Sequence, residues 1–363
     1  MKLLEWLGLQ GGAVGAGSSA PKRKARETFK VSVNAGEQSF EVEKGRKVVL
    51  NAALSAGLGF PHNCRVGSCT QCKCTLKSGK VRELTDSSYV LSAEDLKKGM
   101  ILACQSIPET DLEIEVPLTS GGDRLVETRG TVVSQKNLTH DIVELRVKLD
   151  DPMPLKAGQY AELRLEELSL SRNYSFAVAP KGQELDELVF HIRKVPGGRF
   201  TEWLFESSKL DTRFSVSGPF GDFYLRAPEG EKPAPIVCVA GGSGMAPMLS
   251  LLEQAVWAGE TRDAHYLFGA RTQQDLYGEK DIGRIQQSWR GSMNFVQVLS
   301  EEPADSNWTG ARGYVTDQLD ALKLDWPNVQ AYLCGPPAMI DAAIAKFGAL
   351  GVKPENIRFD KFE

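Results

Sequence analysis

The sequence predicts a multidomain protein that combines the α+β and α/β fold classes. A chain of 363 residues with 42% hydrophobic residues is long enough to bury two or three cores of ordinary domain size. Strand-like alternation dominates the chain up to Pro235, and beyond it short apolar runs alternate with helical stretches. These patterns predict a flexible tail (1–27), a first domain (28–118), a linker (119–124), a second domain (125–229) and a third domain (230–363).

The first domain begins with a hairpin and a helix. FKVSVNAGEQSFEVEKG has the alternation of two strands around a central Asn-Ala-Gly turn, and VVLNAALSAGL has helical spacing. Alternation returns from Leu112 to Val116, before the TSGG stretch at 119–122. We therefore expect a ββα opening and a domain end near residue 118.

The tail has the composition of a tether. Residues 11–27 are rich in Gly, Ser and Ala and then basic, which leaves little apolar surface to bury. The preceding MKLLEWLGLQ is too short to span a bilayer and shows no signal-peptide cleavage pattern, so we expect a cytoplasmic protein. Residues 1–10 suit peripheral contact with a membrane or a partner, and a frayed terminus without a role is the competing interpretation.

The second and third domains differ in the spacing of their strands. Residues 125–228 contain about six strand-like runs separated by Gly and Pro turns, which predict a small antiparallel barrel. After Pro235, the runs IVCVAGG, AHYLFGA, NFVQVLS and QAYLCG alternate with helical stretches, and we expect the last of them to be the final strand. This rhythm predicts a parallel α/β sheet.

Charge and cysteine usage narrow the function. The net charge of −4 offers no sign of the concentrated basic surface that nucleic-acid binding needs, so we expect no nucleic-acid partner. Seven cysteines are too few for a disulfide scaffold in a chain of this length. Because four of them cluster within HNCRVGSCTQCKCTL, the sequence favours metal binding in a reducing compartment.

The spacing of Cys64, Cys69, Cys72 and Cys104 is that of a plant-type [2Fe-2S] cluster. A loop containing Gly67 allows backbone N–H groups to point at the sulfurs. Cys74 lies two residues beyond Cys72, and we interpret it as a buried bystander. A four-thiolate zinc site is the alternative, but it needs a second close cysteine pair, which the sequence lacks.

The cysteine motif carries a family resemblance. PHNCRVGSCTQCKCTLKSGKV together with LACQSIP resembles the N-terminal ferredoxin domain of bacterial oxygenase reductases, and the later motifs extend the likeness over residues 28–363. The family is that of the electron-transfer components of xylene monooxygenase and its relatives. This resemblance implies a β-grasp ferredoxin, an FAD-binding β-barrel and an NAD-binding α/β domain. It also implies that electrons pass from NADH to FAD, to the [2Fe-2S] cluster and then to a terminal oxygenase.

The flavin residues are assigned through the same resemblance. Arg172-Asn173-Tyr174-Ser175 resembles the flavin motif of the family, in which Arg172 neutralises the pyrophosphate, Tyr174 packs on the flavin and Ser175 hydrogen-bonds near N5. The resemblance implies FAD rather than FMN.

A second flavin segment follows in HIRKVPGGRFTEWL. Gly197, Gly198 and Thr201 stand at the start of a helical pattern, where free N–H groups favour phosphate. His191 and Arg193 flank the implied flavin site, and a packed strand residue is the alternative for His191.

The nicotinamide motifs lie in the third domain. Gly241, Gly242, Ser243 and Gly244 separate an apolar strand from a helix, and they resemble the nicotinamide loop of the family. Cys334, Gly335 and Pro336 resemble its CGPP motif, in which Cys334 borders the path between nicotinamide and flavin; a buried strand-end cysteine is the alternative. Cys238 we interpret as core. The C-terminal Phe362 is a candidate flavin contact, and a surface tail is its alternative.

The choice of coenzyme depends on FGARTQQDLY. Arg271 is available for a 2′-phosphate, but Asp275 favours a ribose hydroxyl, so we expect NADH. Two other function classes compete with the reductase. A redox-sensing iron–sulfur flavoprotein needs an output element that is not evident, and a hydroxylase needs an oxygen-activating site, for which four scattered histidines are insufficient. We expect a monomer that docks transiently on its oxygenase.

Overall fold

The computed structural model describes residues 27–45, 47–62, 65–67, 70–118, 124–227 and 234–362. The predicted tail up to residue 26, and the predicted linker except its last residue, lie outside this part of the chain. None of the described helices is long and apolar enough to cross a bilayer. The predicted domain boundaries remain predictions, although each predicted domain contains its own main sheet.

The first domain has the predicted ββα opening and a mixed five-stranded sheet. Its strand order is β2-β1-β7-β3-β5, in which β1 and β7 run parallel and close the β-grasp, while β4 and β6 form a separate pair. The elements are β1 (Thr28–Val33), β2 (Gln38–Glu43), α1 (Val49–Ser55), β3 (Lys73–Ser78), β4 (Val81–Glu83), α2 (Ala93–Lys97), β5 (Met100–Leu102), β6 (Ser106–Pro108) and β7 (Leu112–Glu115).

The second domain is the expected antiparallel barrel of six strands. The sheet order is β11-β10-β13-β8-β9-β12, and an antiparallel bridge between Phe176 and Phe190 brings its two ends together. The elements are β8 (Val126–Asn137), β9 (Ile142–Met153), β10 (Tyr160–Leu165), β11 (Leu170–Ser175), β12 (Leu185–Arg193), α3 (Arg199–Glu206) and β13 (Arg213–Phe220).

The third domain is the expected parallel α/β sheet, in the order β17-β16-β15-β14-β18-β19. The prediction that QAYLCG forms the final strand is wrong, because β19 follows it and pairs with it in parallel. The elements are β14 (Ile236–Gly241), α4 (Met245–Trp257), β15 (Ala264–Ala270), α5 (Glu279–Ser288), β16 (Met293–Leu299), β17 (Ala311–Arg312), β18 (Gln330–Gly335), α6 (Pro337–Ala349) and β19 (Ile357–Lys361).

Packing joins the three domains. Leu125, Tyr160 and Phe220 of the barrel segment share one apolar cluster with the core of the first domain. Helix α4 of the third domain is buried over most of its length, and its Ser250 hydroxyl donates to the Val178 carbonyl oxygen at 2.7 Å. The carboxyl ends of β14 and β18 meet where the strand order reverses, which is where open α/β sheets bind ligands.

Candidate cofactor site

Two of the four predicted iron ligands lie side by side. Cys72 immediately precedes β3, and its carbonyl oxygen accepts from the backbone N–H of Ala103 at 3.1 Å, next to Cys104. Both cysteines are buried. The Gln105 side-chain amide lies 3.6 Å from the Cys104 sulfur, as a donor that would offset negative charge there. Cys64 and Cys69 lie outside the described residues, so the four-ligand set remains a prediction.

The loop between the cysteines is shaped around Gly67. Its φ of +87° lies in the left-handed region, and a Cβ there would meet Cγ of Gln105 at 2.8 Å. The Gln105 amide also donates to the Arg65 carbonyl oxygen at 3.3 Å. Soft thiolate donors in a glycine-bearing loop lined by N–H donors fit an iron–sulfur cluster.

Cys74 has the environment of a bystander. Its side chain is 2% exposed on β3, and burial raises its pKa to about 12. A thiol that stays protonated at neutral pH is a poor metal ligand, because the thiolate is the binding form. This environment agrees with the interpretation of Cys74 as core.

The flavin motif lies along β11 with its polar groups outward. Arg172 and Asn173 are exposed, and the Arg172 guanidinium donates locally, to the Ser171 carbonyl oxygen at 2.7 Å. Tyr174 packs its ring 5.5 Å from that of Phe200 in α3, and burial raises the pKa of its phenol. An exposed cation beside a neutral aromatic ring suits a flavin and its pyrophosphate.

The glycine segment before α3 is closed by a threonine. The Thr201 hydroxyl accepts from the Val195 N–H at 3.0 Å and lies 3.1 Å from the Gly198 carbonyl oxygen. A Cβ on Gly198 would meet this hydroxyl at 2.8 Å, and Gly197 has a φ of +74°. The side chain of Thr201 therefore shapes the loop, and the phosphate donors that fit best are the first backbone N–H groups of α3.

A buried polar group lies where the barrel meets the third domain. The Ser175 hydroxyl at the end of β11 lies 3.2 Å from a carboxylate oxygen of Asp360 on β19. Asp360 pairs in register with Cys334, which is fully buried at the end of β18. Burial raises the pKa of Asp360 to about 6 and lifts that of Cys334 well above its ordinary value. Two of the predicted residues thus converge on a third that the sequence reasoning missed.

His191 and Arg193 lie on β12, next to the third domain. The His191 ring is buried and stands edge-on to Tyr277, with ring centroids 5.5 Å apart. Burial lowers its pKa to about 4, so the imidazole is neutral at pH 7. This is the setting of a packed strand residue. Arg193 donates from Nε to Asp141 at 2.9 Å and lies against Gly242, so it borders the nucleotide loop.

A cleft of about 250 Å³ opens at the carboxyl ends of the parallel strands. Its lining includes Gly241, Gly242 and Pro336 from the third domain together with Arg193 from the barrel. Glycine is required at Gly244, where a Cβ would lie 2.2 Å from the Cys334 carbonyl oxygen. Ser243 occupies the short helical turn between β14 and α4. A glycine-lined cleft beside a helix start fits a dinucleotide.

The C-terminal residues are held by the same motif. The Phe362 N–H donates to the Gly335 carbonyl oxygen at 3.0 Å, and its partly buried ring packs against the apolar cluster around α4. The C-terminal segment is therefore an ordered strand with an attached aromatic residue rather than a surface tail. Whether the ring touches a flavin remains a prediction.

An ion-pair network occupies the coenzyme-selecting part of the cleft. The Arg271 guanidinium donates to Asp275 at 2.8 Å and to Asp141 of the barrel at 3.4 Å. Hydrogen bonding by Asp275 raises the pKa of Arg271, which stays charged but is shared between two carboxylates. A 2′-phosphate would have to compete with both carboxylates for this cation.

Comparisons with known proteins match this arrangement domain by domain. The family model of the 2Fe-2S iron-sulfur cluster binding domain matches residues 31–109, that of the oxidoreductase FAD-binding domain matches 129–224, and that of the oxidoreductase NAD-binding domain matches 238–344. The xylene/toluene monooxygenase electron transfer component XylA of Pseudomonas putida is 41% identical over 92% of this chain and 93% of its own. This chain belongs to the reductase components of multicomponent oxygenases.

Other relatives support the assignment of this chain to the same family. The reductase component of the naphthalene 1,2-dioxygenase system of Pseudomonas putida is 36% identical over 86% of this chain and 93% of its own. The crystal structure of the Amycolatopsis cytochrome P450 reductase GcoB superposes with a TM-score of 0.83 at 31% identity, covering 92% of this chain and 99% of that one. The reductase therefore combines [2Fe-2S], FAD and NAD-binding domains in one oxidoreductase chain.

Proposed function

We propose that the reductase takes electrons from NADH and delivers them through FAD and a [2Fe-2S] cluster to a terminal oxygenase. The observation that carries this proposal is the hydrogen bond between Ser175 and Asp360, beside Cys334. It joins the flavin motif of the barrel to the two last strands of the nucleotide domain. Bound FAD would accept two electrons at once from NADH and release them singly to the cluster.

The protein's own contribution is to position the cofactors. Asp360 holds the Ser175 hydroxyl at the end of β11, and the buried Cys334 is the register partner of Asp360 on the neighbouring strand β18. Gly241, Gly242 and Gly244 let backbone approach the dinucleotide, while Arg172 would neutralise flavin phosphate. We assign Ser175 and Asp360 as the pair that orients the reacting end of the flavin. Orientation matters here, because a displacement of a reacting group by about 1 Å costs on the order of 100-fold in rate.

The coenzyme is NADH in this proposal. Support comes from Arg271, which two carboxylates engage and which is therefore a poor site for a 2′-phosphate. The cluster would be held by Cys64, Cys69, Cys72 and Cys104, as the plant-type spacing implies.

The partner is a terminal oxygenase that acts on an aromatic or other hydrocarbon. This follows from the named systems of the relatives, among them xylene/toluene monooxygenase, naphthalene 1,2-dioxygenase and propane 2-monooxygenase. A redox-sensing flavoprotein, the rival function, has no such relatives among those described above.

We further propose a cytoplasmic monomer whose residues 1–10 contact the membrane surface peripherally. Its support is the apolar MKLLEWLGLQ run followed by a basic tether. Deleting residues 1–20 removes the apolar run but keeps the basic residues, and should reduce co-sedimentation with vesicles. Unchanged partitioning after the deletion would refute the membrane contact.

The role of the Ser175–Asp360 hydrogen bond is tested with Ser175→Ala and Asp360→Asn. Both variants should bind FAD, but NADH should reduce the flavin about 10- to 100-fold more slowly in rapid-mixing experiments. Ser215→Ala is the matched control, because that hydroxyl bonds Glu166 on an exposed part of the barrel. Wild-type flavin reduction in both site variants would contradict the proposed role.

A further inference from the structure

One side chain of the cysteine loop contacts the neighbouring domain. Arg65 follows Cys64 in the chain, and its guanidinium carbon lies 3.2 Å from the ring centroid of Phe220 in the barrel. It also hydrogen-bonds the Tyr160 side chain. Tyr160 and Phe220 are register partners in neighbouring strands, with ring centroids 5.7 Å apart. The guanidinium therefore lies on an aromatic surface built by two barrel strands.

Arg65 is equally fixed on the ferredoxin side. Its Nη2 donates to the Asn51 side-chain oxygen on α1 at 3.1 Å. Its carbonyl oxygen accepts from the Gln105 amide, which also lies 3.6 Å from the Cys104 sulfur. One residue thus connects the predicted iron ligands to the barrel through contacts at both of its ends.

The backbone conformation of Arg65 and the burial of its side chain both cost free energy. The φ of Arg65 is +59°, a conformation that non-glycine residues adopt rarely. Its Nε is buried and finds no hydrogen-bond partner among the residues that the structure describes, although a buried polar atom of this kind normally has one. Strain and desolvation concentrated in one residue point to a functional role rather than to stability.

Arg65 lies at the apolar part of the contact between the first domain and the barrel, whereas Lys47 pairs with Glu127 of the barrel at 2.7 Å in a more exposed position. Phe220 is fully buried and belongs to the same apolar cluster as Cys72 and Cys104. Burial lowers the pKa of the guanidinium, and the charges of Tyr160, Glu162 and Cys104 oppose that shift. Arg is suited to this place, because its planar fork stacks on aromatic rings and donates in several directions at once.

We propose that Arg65 is a positioning residue that docks the iron–sulfur loop on the flavin barrel and places a permanent positive charge beside the cluster. The inference rests on the proposed function, because it assumes that electrons cross this contact from the flavin domain to the cluster. Arg65 has two separable effects: the stacking contact on Phe220 fixes the domain, and the charge favours the reduced cluster.

Three variants separate the two effects. Arg65→Lys keeps the charge and loses the planar stack, and Arg65→Gln loses both. Phe220→Leu removes the ring on which the guanidinium stacks and substitutes no residue of the cysteine loop. Arg82→Gln is the matched control, because Arg82 is an exposed cation on β4 of the same domain. Iron and flavin content are measured first, and Phe220→Leu keeps the test decisive if a loop variant fails to load its cluster.

Two reactions of the loaded protein report the docking. Ferricyanide accepts electrons from the flavin, whereas cytochrome c accepts them from the cluster. We expect NADH-dependent cytochrome c reduction to fall about tenfold in Arg65→Gln and Phe220→Leu, as for a central interface Arg, with ferricyanide reduction unchanged. Amide exchange of residues 213–221 should accelerate in the same variants.

The cluster reduction potential reports the charge. It should fall in Arg65→Gln and stay at the wild-type value in Arg65→Lys, a separation that a purely structural role would not produce. Wild-type activity ratios and exchange in both Arg65→Gln and Phe220→Leu would overturn the docking, and an equal potential in Arg65→Gln would overturn the charge effect. If the wild type itself reduces no cytochrome c, the proposed function fails, while amide exchange still decides the docking.

Discussion

Gly244 gives the sharpest steric prediction for the nucleotide loop. A Cβ at this position would lie 2.2 Å from the Cys334 carbonyl oxygen and 2.7 Å from its carbon. Both are backbone atoms of β18, which is paired with a strand on each side and cannot rotate away as a side chain would. Ordinary van der Waals contact begins at about 3.4 Å, so Gly244→Ala must displace the loop by about 1 Å.

The displacement sets the size of the effect. Overpacking of this kind costs about 1–3 kcal/mol, which corresponds to about a 5- to 150-fold loss in affinity if the loop that contacts the dinucleotide absorbs it. The dissociation constant of NADH, measured by titration of the FAD-loaded protein, should rise by that factor. Flavin content should be unchanged, because the FAD motifs lie in the barrel.

The control for Gly244→Ala is Gly283→Ala. Gly283 lies inside α5, and a Cβ there meets no atom within 4 Å. This change should stabilise the protein by about 0.5–1 kcal/mol and leave NADH binding unaltered. An NADH affinity within twofold of wild type in Gly244→Ala would refute the steric reasoning.

Three further predictions concern the cysteines, the coenzyme and pH. Cys74→Ala should retain the cluster absorption and iron content that Cys72→Ser loses; loss of iron in Cys74→Ala would make it a ligand. Asp275→Asn should free Arg271 from the nearer of its two carboxylates and lower the NADH-to-NADPH ratio of kcat/KM about tenfold, whereas an unchanged ratio would exclude this network from coenzyme choice. The pKa of His191 is about 4 in the folded protein, against an ordinary 6.5. Between these two pH values the unfolded chain binds more protons than the folded one. The free energy of unfolding therefore falls as the pH drops from 6.5 to 4. Urea unfolding should show about 2 kcal/mol less stability at pH 5 than at pH 7.5 from this group, and His191→Gln should lose that difference, whereas His140→Gln should keep it.

Most of the fold was predictable because its elements carry local patterns. The hairpin of β1 and β2, the six barrel strands and the parallel strands β14, β15, β16 and β18 all show their period or their apolar run in the sequence. Strand β19 was missed because IRFDK is partly exposed at the edge of the sheet and mixes charged with apolar residues. Its position depends on pairing with β18, which no local pattern reveals.

The site residues divide in the same way, into those that a local motif reveals and those that depend on distant contacts. Cysteine spacing and glycine loops reflect local geometry, so Cys72, Cys104 and Gly244 were identified from short motifs. Asp360 and Arg65 were not, because their roles depend on partners far away in the chain: Asp360 meets Ser175 across 185 residues, and Arg65 meets Phe220 in another domain. The sequence motifs around Asp360 and Arg65 point instead to the neighbouring residues Phe362 and Cys64.

The most direct test of the electron relay is an anaerobic titration of the purified reductase with NADH, followed by absorption and low-temperature EPR, with NADPH in parallel. We predict that NADH bleaches the flavin and produces the rhombic signal of a reduced [2Fe-2S] centre, and that NADPH does so only at much higher concentration. Bleaching of the flavin without any cluster signal would contradict the relay. It would instead return the loop of Cys64, Cys69 and Cys72 to the four-thiolate zinc alternative.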